Sequence, residues 1–344
     1  MPRWKVLTGL TMKQTERCSF PPDCDAQSPS ACRGSVKIVL PLRRGGIAGS
    51  TLRHELLGQP EAPLIIVAGG ISAGRHVLAS NEFPEAGWWQ AQSVSLHPAS
   101  HRILAIDWVN ADGTIVRPID PADQAEAIAQ LLDHLAIERA AAFIRASYGA
   151  MVGMHFAALF PERLGGLLAI SAADRAHPFA SACRALQRQA LTLGERLGDP
   201  AAGVALARAM AILTYRTPDE FAERFPAEPR VGGNSLVRVA AEDYLDAHGK
   251  RHAGRMNSFA YRRLSESIDL HQIDPAAIKV PLTLVAVDQD ALVPAADIKA
   301  LAGQVAGARF HQIRSHFGHD AFLKEEEQVA SIITQFLESL ELSQ

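Results

Sequence analysis

The sequence predicts an α/β fold, a mostly parallel central sheet with helices on both faces and an inserted helical lid. Three observations predict it. Short, wholly apolar runs of the kind buried on both faces of a parallel sheet alternate with helical segments. From His177 to His271 that alternation gives way to apolar residues at helical spacing, as in Ala185, Leu186, Ala190 and Leu191. Beyond that segment the apolar runs return. A chain of 344 residues is long enough for one such core plus an inserted subdomain.

The elements follow in order. Residues 1–34 carry Pro21-Pro22, scattered polar residues and no periodicity, which predicts a poorly ordered tail. Val36 to Leu42 alternates as a strand, and Leu52 to Gly58 reads as the next. Pro63 to Ala68 is an apolar run that ends in the glycine-rich loop Gly69-Gly70-Ile71-Ser72-Ala73-Gly74. Arg102 to Asp107 is another buried strand. Asp120-Pro121 opens a helix through about Leu135, with proline tolerated at the first helical position. Ala140 to Ile144 is again a short apolar strand, and Met151 to Phe160 a helix apolar on most faces, stopped by Pro161. Leu164 to Ser171 makes a further strand. Residues 177–271, in which no convincing strand appears, read as a lid over the sheet's carboxyl edge, where such folds bind ligands. Leu282 to Val287 and Ala308 to Ile313 resume the sheet, and a helix from about Glu325 to Leu340 closes it. The predicted organisation is a tail over 1–34, a core of 35–176 with 272–344, and a lid over 177–271.

Composition narrows the function. Hydrophobic residues are 48% and charged residues 21% of the chain, the balance of an ordinary globular protein. A formal net charge of −3 gives no electrostatic reason to expect nucleic acid. Cys18, Cys24, Cys32 and Cys183 form no C-x-x-C pair and no zinc spacing, so no metal is expected; the first three lie in the N-terminal segment, where a disulfide could form, and a reducing compartment is the simpler reading. No apolar run approaches the roughly 20 residues of a membrane span, and Met1 to Arg17 lacks the apolar core of a signal peptide. A cytoplasmic location follows as the expectation.

The chemistry is carried by Phe143-Ile144-Arg145-Ala146-Ser147-Tyr148-Gly149. A serine at the apex of a sharp strand-to-helix turn is the nucleophile elbow of α/β-hydrolase folds, whose motif reads G-x-S-x-G; here Arg145 stands at the first glycine. On its own the stretch also fits a serine that merely opens a helix. Acyl transfer by serine needs a base to take its proton and an acid to orient that base, and in this fold they follow in the order Ser, Asp/Glu, His at later strand ends. Strand 282–287 runs into Asp288-Gln289-Asp290-Ala291-Leu292-Val293-Pro294, where the D-x-x-V-P ending favours Asp290 over Asp288. Strand 308–313 leads to His316 and His319; Gly318 leaves room to turn the imidazole of His319 toward the serine. The oxyanion hole would take the N–H of Tyr148 and, from the glycine loop, that of Ile71. The flanking glycines fit a plain turn equally well, and their place between a strand and a following helix is what favours the oxyanion role.

These residues belong to a wider pattern. From about Leu64 onward the chain resembles the homoserine O-acyltransferases, an acyl-CoA-dependent branch of the α/β-hydrolase superfamily that serves methionine biosynthesis. The resemblance rests on Gly70-Ile71-Ser72 through His76-Val77, on Gly87-Trp88-Trp89, and on Ala207-Arg208 with Leu213-Thr214-Tyr215-Arg216. It also rests on Tyr244-Leu245, His248-Gly249, Arg255, Ser258-Phe259 and Asp269-Leu270-His271, and on Gly318-His319-Asp320-Ala321-Phe322-Leu323. It implies that Ser147 takes the acyl group from acetyl-CoA or succinyl-CoA as co-substrate, with no permanently bound cofactor. His319, oriented by Asp290, would then deprotonate the hydroxyl of L-homoserine. Asp320 matches the residue that binds the substrate ammonium, Arg208 the one that binds its carboxylate, and Tyr215 a lid tyrosine near the substrate. Residues alone would make Arg208 and Tyr215 a helix-surface and a core residue. Family members with such lids often form homodimers, and the resemblance extends that expectation here.

The chain departs from the pattern at Arg145, whose long side chain is expected to crowd the turn, and at Ser93 to Pro98, where the family has G-P-G. Arg75 or Arg145 could pair with a succinyl carboxylate or face solvent. Besides homoserine acylation, the residues fit an acyltransferase acting on L-serine, an esterase in which water replaces the amino acid, or a non-catalytic binding protein whose elbow Arg145 has spoiled.

Overall fold

In the computed structural model, which describes residues 30–232 and 236–341, the apolar runs assemble into one eight-stranded sheet of order β1-β2-β4-β3-β5-β6-β9-β10. β1 (Ala31–Pro41) and β2 (Ile47–Leu57) form a long hairpin, antiparallel to each other and to β4 (Arg102–Ile106). From β4 onward the order is parallel through β3 (Leu64–Ala68), β5 (Ala142–Ala146), β6 (Leu167–Ile170), β9 (Leu282–Val287) and β10 (Arg309–Ile313). β3, β5, β6 and β9 are buried at every residue, as strands covered on both faces must be, whereas β10 at the edge is largely uncovered. One face carries α1 (Pro121–His134) and α2 (Tyr148–Leu159), with α8 (Ala295–Ala302) on the same side; Ile66, Phe143 and Leu284 point into that layer. The other face, with Ile65, Ile144 and Val285, packs on α10 (Glu326–Glu341). The N-terminus of α1 is a capping box in which the Asp120 and Asp123 side chains each satisfy a backbone N–H of the other's residue.

Between β6 and β9 lie α3 (Pro178–Arg196), α4 (Pro200–Tyr215), α5 (Pro218–Arg224), α6 (Ala240–Ala253) and α7 (Ser258–Asp269). Their own small core of Leu191, Val204, Ala207 and Tyr261 holds them together. Gly249 lets α6 approach α4 closely, since a Cβ there would stand 2.5 Å from the Ala205 carbonyl oxygen. Asp269 binds both Arg184 (2.6 Å) and Arg188 (2.7 Å), which fastens α7 to α3. Past its end the His271 imidazole meets the Ala173 carbonyl at 2.8 Å and His155 of α2 at 3.2 Å, tying the segment back to the sheet layer.

Several expectations need correction. The predicted tail reaches too far: Ser30 and Ala31 are buried and β1 begins at Ala31, because this stretch pairs along the full length of β2; positions 1–29 lie outside the described residues. The inserted segment is not strand-free, since β7 (Arg230–Val231) and β8 (Val237–Arg238) pair as a two-residue ribbon too short to leave a periodic signal. The loop after β3 runs into turns and a 3-10 helix over Gln90–Val94 rather than an α-helix. Cys32 is disulfide-bonded while Cys183 is a free thiol, so the cysteines are not uniformly reduced. Among the described residues no helix is long and apolar enough to cross a membrane.

Candidate active site

Ser147 sits between the carboxyl end of β5 and α2 with φ 55° and ψ −125°. A non-glycine residue holds such a conformation only where its surroundings force it. Here the force is visible: Ser147 N–H bonds the Ile170 carbonyl at 2.9 Å, and Gly149 N–H bonds that of Gly69 at 3.0 Å. Gly149 must be glycine, because a Cβ would stand 2.8 Å from the Ala68 oxygen. The α-helix and β3 therefore press together directly behind the hydroxyl, which projects into the cavity.

The two partners come from the strand ends named by the sequence. Asp290 follows β9 and is 4% exposed; its Oδ1 accepts the N–H groups of Leu292 (2.9 Å) and Val293 (3.0 Å). That fold-back is what the D-x-x-V-P ending encodes, and it leaves Oδ2 free to meet His319 Nδ1 at 2.7 Å. Against a carboxylate Nδ1 carries the proton, so Nε2 is the acceptor, and it lies 2.8 Å from Ser147 Oγ. His319 stands in a 3-10 turn after Gly318, whose φ of +58° and contact with the Tyr215 carbonyl exclude a side chain. Burial alone would lower the imidazole's pKa, but the charge and hydrogen bond of Asp290, with the charge of Asp320, hold it above its ordinary value. Asp288 instead caps the end of β10 through the Ser315 N–H at 3.1 Å, and His316 lies near the surface 3.6 Å from Glu223.

A cavity of about 200 Å³ opens onto Ser147 and His319, lined also by Ile71, Tyr215, Arg208 and Asp320. Tyr148 holds the first position of α2, where a backbone N–H has no intrahelical acceptor; its side chain turns away into the core and bonds Ser267 at 2.7 Å. The Gly70 backbone passes so close that a Cβ on it would lie 4.0 Å from Ser147 Oγ, which puts the glycine loop beside the nucleophile. The loop is pinned by two indoles: Trp108 Nε1 donates to the Gly70 carbonyl and Trp88 Nε1 to that of Gly74, both at 3.0 Å. Trp89 donates to the Phe322 carbonyl at 2.9 Å, so the G-W-W stretch braces the loop and the histidine-bearing turn together.

On the cavity wall the Tyr215 ring stacks on His319 with centroids 5.8 Å apart, and the Arg208 guanidinium lies 5.3 Å from the Tyr215 ring centre. Burial raises the Asp320 carboxyl's pKa, an effect opposed by Arg216, His319 and Arg208. Arg216 is a residue that sequence reasoning quoted without giving it a role: it stands 3.4 Å from Asp320 and also pairs with Glu220. Its place directly after Tyr215 in the lid motif was the available signal. Arg175, His177 and Arg184 line the same cavity and were likewise missed.

Two sequence expectations about arginines are overturned. Arg145 neither crowds the turn nor reaches the cavity. Residues alternate across a strand, so its side chain points with Phe143 into the α1–α2 layer, where it is 0% exposed and its guanidinium lies 3.4 Å from the Phe143 ring centre. None of its three side-chain nitrogens has a hydrogen-bond partner, and burial pushes its pKa well down. Arg75 is occupied by Asp107 at 3.4 Å and lines neither of the two large cavities beside the glycine loop. Among the described residues no group of three or more His, Cys, Asp or Glu could hold a metal ion.

The α/β hydrolase fold family matches residues 63–326. The chain is 51% identical over 93% of its length to a homoserine O-succinyltransferase of Xanthomonas campestris pv. campestris, covering 87% of that protein. It is 38% identical over 64% of its length to a homoserine O-acetyltransferase of Thermus thermophilus, covering 58% of that protein. In fold alone it superimposes on esterase E22 with a TM-score of 0.80 at 15% identity, over 90% of this chain and 100% of the other.

Proposed function

Because the chain belongs to the α/β-hydrolase fold family and, within it, to the homoserine O-acyltransferases, we propose that it transfers the acyl group of an acyl-CoA to the hydroxyl of L-homoserine. The observation that carries the reading is the unbroken relay Asp290–His319–Ser147, at 2.7 and 2.8 Å, under a cavity that offers both Arg208 and Asp320. In the first half-reaction Ser147 Oγ attacks the thioester carbon while His319 Nε2 takes the hydroxyl proton. The Ile71 and Tyr148 N–H groups receive the oxyanion. The carbon–sulfur bond breaks, the proton passes to the departing thiolate, and an acyl-serine remains. In the second, His319 removes the proton of the homoserine hydroxyl, which attacks the acyl-serine; the proton returns to Ser147 and the O-acyl ester leaves. Arg208 binds the amino acid's carboxylate and Asp320 its ammonium, with Tyr215 beside the substrate. Arg216 holds Asp320 in place.

Succinyl is the favoured donor group. The 51% identical relative is a succinyltransferase. In this reading residues 177–271 act as the lid over a core of 31–176 with 272–344. Two copies would pair through the exposed Leu186, Leu193, Leu206 and Leu213 of α3 and α4. Similarity in fold to an esterase does not distinguish acyl transfer from hydrolysis, so the acceptor must be tested directly. Release of free thiol from succinyl-CoA and acetyl-CoA is measured with L-homoserine, L-serine or water as acceptor, for the wild type and Ser147→Ala. Homoserine-dependent release with succinyl-CoA, abolished in Ser147→Ala, is expected. Thiol release independent of any amino acid would make the protein a hydrolase, and preference for L-serine would move it to the neighbouring acceptor.

A further inference from the structure

On the other side of the glycine loop lies a second cavity, of about 470 Å³. Ile71, Ser72, Ala73 and Arg208 line both it and the cavity that holds Ser147, so the two adjoin through the same backbone. Its wall gathers four guanidiniums from separate elements: Arg53 of β2, Arg208 of α4, Arg251 of α6 and Arg255 just past the end of α6. None of the four forms an ion pair with a carboxylate of a described residue. Of the two acids on the wall, Asp107 pairs with Arg75, which leaves the Asp112 carboxylate, hydrogen-bonded to the Thr114 hydroxyl at 2.9 Å, against four guanidiniums.

The uncompensated charge registers on the two histidines of the wall. His248 has its pKa lowered by burial and then by Arg251, Arg208, Arg216 and Arg224. His252 is lowered to about 4, chiefly by burial and then by Arg208 and Arg255. His252 is 9% exposed, and its Nε2 is buried with no hydrogen-bond partner. Like charges converge on a cavity at a Coulombic cost that an anion removes, and planar guanidinium forks suit phosphate oxygens in particular. His248 and Arg255 also belong to the Tyr244–His271 pattern of the sequence, which the acyl-transfer steps leave without a task.

An acyl-CoA carries its thioester at the end of a pantetheine arm and, at the other end, a nucleotide with a diphosphate and a 3′-phosphate. A cavity of about 200 Å³ around Ser147 holds the acyl group and amino acid but not that nucleotide. We propose that the 470 Å³ cavity binds the phosphates of the donor's 3′-phospho-ADP end. Arg251 and Arg255 are the phosphate ligands, the neutral His252 Nε2 is a further polar contact, and the pantetheine arm crosses the Ser72–Gly74 loop to reach Ser147. This site rests on the acyl-CoA-dependent reading above.

The double variant Arg251→Ala/Arg255→Ala alters two exposed side chains that leave the Ser147 cavity untouched. It is assayed with succinyl-CoA and with the N-acetylcysteamine thioester of the same acyl group, which lacks the nucleotide. The expected result is a drop of roughly ten- to hundredfold in kcat/KM for the CoA thioester, the range for lost charge-assisted hydrogen bonds, with the short thioester unaffected. Equal losses on both thioesters, or no loss on either, overturn the proposal; Arg251→Gln/Arg255→Gln repeats the comparison should the alanine form melt early. Calorimetry with adenosine 3′,5′-bisphosphate tests the site without turnover. Binding that is weakened in the double variant and by added salt is expected, and binding that is undetectable or undiminished overturns the site. Should the wild type consume neither thioester, the acyl-transfer reading fails, while the bisphosphate measurement still decides the cavity.

Discussion

Replacing Arg145 by methionine removes a cation that the interior does not compensate. The wild-type side chain is wholly buried, and its Nε and both Nη atoms lack partners. An uncompensated ion inside a protein costs several kcal/mol even after relaxation. The Phe143 ring at 3.4 Å and the Trp108 ring at 5.8 Å return about 2 kcal/mol as cation–π attraction. Methionine keeps the aliphatic stem, whose Cγ packs beside Gly153 of α2, and forfeits about 1 kcal/mol for the volume it leaves empty. The balance is a stabilisation of about 2–4 kcal/mol, or a rise in Tm on the order of 5 °C. Urea and thermal melts of the two proteins at neutral pH measure it. The sign with pH is also fixed. Burial depresses the folded arginine's pKa, so the unfolded chain binds the proton more tightly. Wild-type stability therefore rises with pH between the depressed and the ordinary arginine value, and Arg145→Met lacks that slope. Arg145→Gly removes the stem as well, so a cavity term of about 2–5 kcal/mol offsets its gain. A methionine variant that melts at or below the wild-type temperature would refute the picture of an uncompensated guanidinium.

Three further outcomes follow. Asp290→Asn should lower kcat/KM by about 10²–10⁴, because the imidazole loses the carboxylate that orients it and stabilises its protonated form. In the wild type kcat/KM should rise with pH through a midpoint above 6.5, since burial is outweighed by Asp290 and Asp320, and the variant's midpoint should shift to lower pH; an unmoved profile would count against the relay. Arg208→Ala should raise the KM for homoserine roughly ten- to hundredfold through loss of a charged pairing to the substrate carboxylate, read in steady-state kinetics at saturating donor, and an unchanged KM would remove Arg208 from the amino-acid site. Acid should unfold the protein early. Burial is the leading cause that holds His54, His252 and His271 at about 4 and His155 at about 3, each below the ordinary 6.5 of the unfolded chain. The stability that depends on their neutrality is complete above pH 6.5 and is lost as pH falls toward 4, by about 3 kcal/mol per fully shifted histidine before coupling. Urea midpoints that stay level from pH 7 to pH 5 would contradict it.

Much of the site was legible in the sequence because strand ends are where an α/β sheet must present its reactive groups. Ser147 and Asp290 each follow a short apolar run whose burial on both faces is written in its composition, His319 follows the last strand of the sheet, and the D-x-x-V-P ending singled out Asp290 through local hydrogen bonds that span only three residues. What the chain could not show by itself was direction. A side chain on β5 points to one layer or the other by strand parity, and only the sheet order decides which layer that is, so Arg145 read as an elbow residue and proved to be a core residue. The same holds for Arg53, Arg208, Arg251 and Arg255, which are separated by up to some two hundred positions and come to line one cavity once α4 and α6 pack on each other beside β2. Composition and periodicity fix which segments are buried, since transfer of apolar surface from water is a local property of each residue. Which charges end up sharing one cavity is a sum over the packed elements, and only the tertiary structure performs that sum.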